Sequence, residues 1–238
     1  MNIFVLTGAG VSAESGLGTF RDKTGLWTRF DPMKLATPGA FALNPDEVHT
    51  FYNLRRRNLL EASPNPAHVA LARLEAELGK RKSRLFLVTQ NIDDLHERAG
   101  SQCVTHMHGE LLKARCTACD AVGSYIDDLG VDDRCPHCGQ PGSLRPHVVW
   151  FGEYPLHMAT IDEALQNTDL FVSIGTSGSV YPAAGFVKQA KDQGIRTCEI
   201  NLEPSDNAAL FDEAYYGPAS QAVADWVEKI IEVVTPAR

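Results

Sequence analysis

The sequence predicts an α/β fold, a Rossmann-like parallel sheet carrying a small inserted module that is part helical and part zinc-binding. Short continuous apolar runs alternate with helix-period segments, the pattern of parallel strands covered on both faces. The first of these runs leads straight into a glycine-rich turn. Two Cys-x-x-Cys pairs stand in a stretch rich in Asp, Gly and Pro, too polar to be part of such a sheet.

Taken in order, Ile3 to Leu6 is the first strand, and Gly8-Ala9-Gly10-Val11-Ser12-Ala13 follows as a G-x-G-x-x-A turn. In that reading the glycines let backbone N–H groups and a helix N-terminus approach a pyrophosphate. Roughly 75 residues separate this strand from the next, Leu85 to Val88, too many for one crossover. Helix-period segments at Pro45 to Glu61 and Ala67 to Leu78 mark a helical insertion there. A second insertion, about Leu112 to Ser143, holds the paired cysteines, and both insertions are expected to fold as one module against the sheet. Leu170 to Ile174 and Thr197 to Asn201 complete the predicted strands. Pro182 is placed in the first turn of a helix, where its missing N–H costs nothing. The last helix has the clearest stripe: Val223, Trp226, Val227, Ile230, Ile231 and Val234 recur at helical spacing.

At 238 residues the chain can bury one full core. Its expected division is a large sheet part at about 1–30, 80–111 and 144–238, and a small part at about 31–79 (helical) and 112–143 (zinc-binding). No stretch approaches the roughly 18 uncharged residues of a membrane span, and the start lacks a signal-peptide pattern, so a cytoplasmic protein with no membrane partner is expected. The formal charge of −8 argues against nucleic-acid binding, which relies on counterion release at basic surfaces.

Cys116-x-x-Cys119, fifteen residues, then Cys135-x-x-Cys138 matches two knuckles that set four thiolates around Zn²⁺. Four sulfurs close the shell, so the metal is structural. Cys103 and Cys198 are expected in strands as small hydrophobes. Against an ordinary dehydrogenase, the region from Trp27 to Pro32 does not end a second strand with a ribose-binding acid. A histidine such as His108 or His106 can act as general base near neutral pH. Gln90, Asn91 and Asp93 follow the second strand, either at a ligand-binding edge or as a turn and helix cap. Tyr52 and Arg55 share a helical face at i, i+3; they can grip a carboxylate, or belong to a solvated basic patch with Arg56 and Arg57.

The run GAGVSAESGLGTFRD, followed in order by Thr89-Gln90-Asn91-Ile92-Asp93, His108-Gly109-Glu110-Leu111, Gly175-Thr176-Ser177 and Asn201-Leu202-Glu203, resembles the sirtuin family. The resemblance spans Ile3 to Val233 and is nearest to the short bacterial class III protein deacylases. It implies one catalytic domain over 1–238, with NAD as co-substrate and acylated lysine-bearing proteins or peptides as partners. The implied products are free lysine, nicotinamide and O-acyl-ADP-ribose. His108 is then the general base, with Asn91 and Asp93 also catalytic; His106, His137 and His147 are structural, the last packing near the peptide cleft. The implied cofactor-binding residues are Gly8, Ala9, Gly10, Ala13, Glu14, Phe20, Arg21, Trp27, Gln90, Asn91, Ile92, Asp93, Gly175, Thr176, Ser177, Asn201, Leu202 and Glu203, with the backbone of Ala219 near the adenine. Ala36, Tyr52 and Arg55 are implied in an acyl pocket suited to succinyl or malonyl groups. Val149, Phe151 and Gly152 lie in a segment, Val148 to Glu153, implied to pair with the substrate peptide as an added strand, although it also reads as a plain buried strand. ADP-ribosyl transfer to protein is the competing enzymatic reading, and an NAD-responsive binding module the non-enzymatic one.

Overall fold

A computed structural model describes residues 1–18 and 32–234. Nine strands form two sheets among these residues. Six are parallel, in the order β3-β2-β1-β7-β8-β9: β1 is Ile3–Thr7, β2 Leu85–Thr89, β3 Val104–His106, β7 Leu170–Ile174, β8 Arg196–Asn201 and β9 Glu213–Tyr216. The chain moves outward from β1 to β3, then restarts at β7 on the other side of β1, so the strand order reverses between β1 and β7. Open α/β sheets bind ligands at the carboxyl edge of that reversal.

The pleat divides the core. Ile3 and Val5 point to one face, where they meet Leu71, Leu74 and Leu78 of the helix Pro66–Gly79 and Val223, Trp226 and Val227 of the helix Ala219–Val234. Phe4 and Leu6 point to the other, against Ile161 and Leu165 of the helix Met158–Gln166 and Phe186 and Val187 of the helix Phe186–Asp192. All these side chains are almost fully buried, each contributing about 1.5–3 kcal/mol. Two Asn-Pro pairs start the insertion helices: Asn44 caps Pro45–Glu61, and Asn65 forms a capping box with His68 at the start of Pro66–Gly79.

The second sheet is antiparallel, with β4 (Gly109–Cys116) between β5 (Val122–Ser124) and β6 (Leu144–Val148). It overruns 112–143 at both ends. Its core is small: Ala114, Cys116, Leu129, Cys135 and Leu144. The helix Pro45–Glu61 holds this lobe through a reciprocal pair, Asn53 Nδ2 to the Leu129 carbonyl at 3.0 Å and Leu129 N to Asn53 Oδ1 at 2.9 Å.

Several local expectations need correction. The glycine-rich turn continues as two 3₁₀ turns, Ala9–Val11 and Ala13–Ser15, in place of a helix. Pro182 precedes a 3₁₀ turn, Ala183–Gly185, before its helix begins. Cys198 is buried in β8 as expected, but Cys103 is exposed ahead of β3. Arg56 is fully buried, donating to Asn53 Oδ1 and the Leu111 carbonyl, and Arg57 pairs with Asp128, so neither forms a free basic patch. β6 ends at Val148, and Val149 to Glu153 continue as loop and turn, not as a buried strand.

Candidate active site

Every strand of the large sheet runs the same way, so the motifs that follow β1, β2, β7 and β8, together with His108 just beyond β3, gather at one edge. At its centre the first glycine turn and the loop after β7 touch backbone to backbone. Gly8 N donates to the Ile174 carbonyl and Gly10 N to the Gly175 carbonyl, both at 2.9 Å. A Cβ on Gly10 would lie 2.7 Å from Gly175 Cα, and one on Gly175, at φ +63°, would lie 2.5 Å from Val11 N. These glycines therefore join two loops, and two of the amides expected to face a phosphate are already spent. The amides of Ala9, Thr176 and Ser177 donate to no other group among the described residues, which leaves three N–H donors flanking the reversal point.

Beside them lies a buried polar network. Ser12 Oγ donates to Asp93 Oδ2 at 3.0 Å and accepts from Asn91 Nδ2 at 3.1 Å. His68 Nδ1 accepts from Asn65 N, so its proton sits on Nε2, which faces Ser12 Oγ at 3.3 Å. Burial alone pulls the His68 imidazolium down to about 4. Asp93 Oδ1 also accepts from Leu95 N at 3.2 Å, so the residue serves the turn and the site together. Its burial raises the carboxyl above the usual range, against the pull of those two hydrogen bonds. Ser12 and His68 were not singled out from the sequence; the signal lay in Asn65-Pro66-x-His68, whose capping box fixes the histidine tautomer.

His108 has the geometry of a base. Its Nδ1 lies 3.0 Å from the Gln90 carbonyl, which can only accept, so Nδ1 carries the proton and Nε2 keeps its lone pair. Burial lowers its pKa below the ordinary histidine value, with the carbonyl partly offsetting that, so the ring is neutral at pH 7. The neighbouring His106 is different: it meets Glu97 Oε1 at 2.7 Å and the Asn91 carbonyl at 3.3 Å, and Glu97 raises its pKa against burial.

Asn201 Nδ2 donates to the Thr176 carbonyl at 2.7 Å, tying the loops after β7 and β8, while Leu202 and Glu203 are exposed. Glu14 accepts from Ser220 N at 2.8 Å and Ser220 Oγ at 2.7 Å, which brings it to the start of the last helix beside Ala219. Ala13 opens the second 3₁₀ turn, and the carbonyl of Ile92, between Asn91 and Asp93, accepts from Leu111 N at 2.8 Å; Phe20, Arg21 and Trp27 lie outside the described residues.

Tyr52 and Arg55 lie on the helix Pro45–Glu61 below this edge. The Arg55 guanidinium sits 5.6 Å from the Phe51 and Tyr52 ring centres. Burial lowers its pKa, with Tyr52 and Asp93 partly offsetting that. Phe151 N donates to the Ala36 carbonyl at 2.9 Å and Val149 N to the His108 carbonyl at 2.9 Å, tying Phe151 to Ala36 and Val149 to His108. Gly152 follows in the exposed turn.

In the second lobe, the four Sγ atoms of Cys116, Cys119, Cys135 and Cys138 all lie within 4.8 Å of one another, with Cys116 to Cys138 at 3.7 Å and Cys119 to Cys135 at 3.8 Å. A tetrahedron built on Zn–S bonds of ~2.3 Å has edges of about 3.8 Å. The donor set fits a closed structural zinc site.

The Sir2 family model matches residues 8–182. The NAD-dependent protein deacylase of Caulobacter vibrioides is 61% identical over 97% of each chain, and that of Salmonella typhimurium 54% identical over 97% of this chain and 84% of its own. Among solved structures, a mutant Sir2 homologue in complex with ADP ribose aligns over 100% of this chain and 94% of its own at 37% identity, with a TM-score of 0.88. A complex of a Sir2 homologue with NAD aligns over 98% and 91%, at 38% identity and a TM-score of 0.87.

Proposed function

This chain belongs to the Sir2 family, and from that premise we propose that it is an NAD-dependent protein lysine deacylase whose acyl pocket accepts acidic groups such as succinyl as well as acetyl. The observation that carries the catalytic part is the hydrogen bond from His108 Nδ1 to the Gln90 carbonyl, which leaves a neutral base at the carboxyl edge beside the Ser12, Asn91 and Asp93 network.

When bound, NAD would supply a ribose carbon from which nicotinamide can leave, the acyl oxygen taking its place and a water completing passage of the acyl group to ADP-ribose as the lysine is freed. The amides of Ala9, Thr176 and Ser177 are suited to its phosphates, with Gly8, Gly10 and Gly175 shaping the floor. Asn201, Leu202 and Glu203 are assigned to the adenosine side near Ala219, and Glu14 to the positioning of that helix start. Gln90, Asn91, Ile92 and Asp93 are assigned to the nicotinamide side, and Ala13, Phe20, Arg21 and Trp27 complete the cofactor set by family resemblance. His108 Nε2 takes a proton from a ribose hydroxyl. Val149, Phe151 and Gly152 offer backbone to the peptide, and Ala36, Tyr52 and Arg55 line the acyl pocket, the cation of Arg55 opposing an acyl carboxylate.

Turnover of one peptide carrying acetyl- or succinyl-lysine tests both parts. His108→Tyr is expected to abolish nicotinamide release with either peptide while zinc content and the circular dichroism spectrum stay unchanged; retained turnover would overturn the base assignment. Arg55→Met is expected to lower succinyl turnover more than acetyl turnover, and an unchanged ratio would remove the carboxylate pocket.

A further inference from the structure

The side chain of Trp150 is buried beside Tyr52, and its indole Nε1 lies 2.9 Å from the Tyr52 hydroxyl. An indole N–H can only donate, so the tyrosine oxygen must accept here, and its own proton is directed elsewhere. Tyr52 is 1% exposed, and no acceptor among the described residues takes that proton. A buried donor left without a partner is unfavourable, and an incoming acceptor relieves it.

The indole is itself fixed. The Arg145 guanidinium stacks on its face, 3.3 Å from the ring centre, and forks onto Glu153 at 2.6 and 2.9 Å. Arg145 also donates to the Val148 carbonyl at 2.7 Å, and Glu153 Oε2 accepts from Trp150 N at 2.8 Å. Both ends of the segment that carries Trp150 are thus held.

We infer that Trp150 is a positioning residue for acyl selectivity: its N–H commits the Tyr52 hydroxyl to donate toward the acyl group, favouring a terminal carboxylate acceptor over a plain acetyl group. The inference rests on the acyl pocket proposed above. Donation from the indole also polarises the phenol and strengthens its outgoing hydrogen bond. Trp150 touches no reacting atom and acts through Tyr52.

The test is a double-mutant cycle with Trp150→Phe and Tyr52→Phe, reading kcat/KM for succinyl- and acetyl-lysine forms of one peptide at saturating NAD. Trp150→Phe is expected to lower the succinyl-to-acetyl ratio about tenfold, mainly through the KM for the succinyl peptide. Tyr52→Phe is expected to do the same, and the double variant to be no worse than the more affected single one. A ratio that stays within twofold in Trp150→Phe but falls in Tyr52→Phe overturns the inference and leaves the pocket standing. If neither variant moves it, the pocket reading fails and this inference with it. Equal losses on both peptides in Trp150→Phe would reduce the residue to a structural role and also overturn the inference. Should Trp150→Phe lose NAD binding, site-specific β-(3-benzothienyl)alanine at 150 keeps the ring shape without the N–H and supplies the same readout.

Discussion

Replacing Gly10 by alanine asks whether the glycine turn exists to admit a phosphate or to seat one loop on another. The new Cβ would lie 2.7 Å from Gly175 Cα and 2.9 Å from its carbonyl oxygen, and both obstacles are backbone that cannot rotate away. Overpacking of this kind costs about 1–3 kcal/mol. Two further alanines separate the causes. Gly16 has φ +82° with nothing within 4 Å, so Gly16→Ala carries backbone strain alone, about 1–2 kcal/mol. Gly175 has φ +63° and a collision at 2.5 Å, so Gly175→Ala combines both, about 2–5 kcal/mol. For a chain of this size 1 kcal/mol moves Tm by about 2–4 °C, well within calorimetric resolution. The expected order of stability is wild type, then Gly16→Ala and Gly10→Ala, with Gly175→Ala lowest. NAD affinity, read by titration calorimetry, should fall in Gly10→Ala and Gly175→Ala but not in Gly16→Ala. A Gly10→Ala protein with wild-type Tm and weakened NAD binding would refute the loop-seating account and restore the simpler one, in which the glycine only makes room for phosphate.

Four other outcomes follow from the geometry. His68 has a folded pKa of about 4 against 6.5 when unfolded, so the unfolded chain binds the extra proton; stability intact above pH 6.5 should be lost progressively as pH falls toward 4, by about 3 kcal/mol from this group, and a His68→Gln variant measured by urea denaturation should show a shallower pH slope. Because the His108 pKa is lowered, kcat/KM should rise with pH on a limb lying below the ordinary histidine value and level off by neutrality; a limb centred above pH 7 would mean another group is the base. Chelation of zinc, or Cys135→Ser, should open the small lobe to proteolysis between 117 and 143 while the parallel sheet keeps its far-UV signal, since that lobe's core has five buried side chains of which two are cysteines. Glu14→Gln weakens a charge-assisted cap on Ser220 at the last helix and should lower stability by about 0.5–1.5 kcal/mol in thermal denaturation.

The four central strands were legible because burial on both faces demands unbroken apolar runs, and Phe4 and Val5 need only be hydrophobic to serve opposite sides. β3 and β9 were not. They are the edge strands, three and four residues long, and Val104-Thr105-His106 or Glu213-Ala214-Tyr215-Tyr216 carries no run a solvated loop would lack. The zinc site was legible because its ligands come in local pairs with characteristic spacing. Ser12, His68 and Trp150 were harder, since Ser12 meets Asp93 and His68 across 81 and 56 residues and Trp150 meets Tyr52 across 98, pairings that exist only after the insertions fold back on the sheet. The basic patch suggested by Arg55-Arg56-Arg57 misled for a related reason: three successive helix positions point in three directions, toward the ring of Tyr52, the carbonyl of Leu111 and the carboxylate of Asp128.

That fold-back also puts the proposed acyl pocket and the proposed base on different kinds of structure. His108 closes onto the Gln90 carbonyl at the end of β2, an edge fixed by parallel strand pairing and tied to the second sheet through Val149 N on the His108 carbonyl and Leu111 N on the Ile92 carbonyl. Tyr52 and Arg55 ride on the helix Pro45–Glu61, which is clasped to the small lobe through Asn53 and Leu129 and packed on Leu95, Leu111 and Trp150. Gly109 marks the join between the two: at φ +81° it lies against the His147 carbonyl, where a Cβ would come within 2.2 Å, so β4 leaves His108 and enters the second sheet within one residue. A side chain at 109 would force β4 from β6 and displace His108 together with the Val149 N–H bonded to its carbonyl, coupling the proposed base and the proposed peptide contacts through a single backbone crossing.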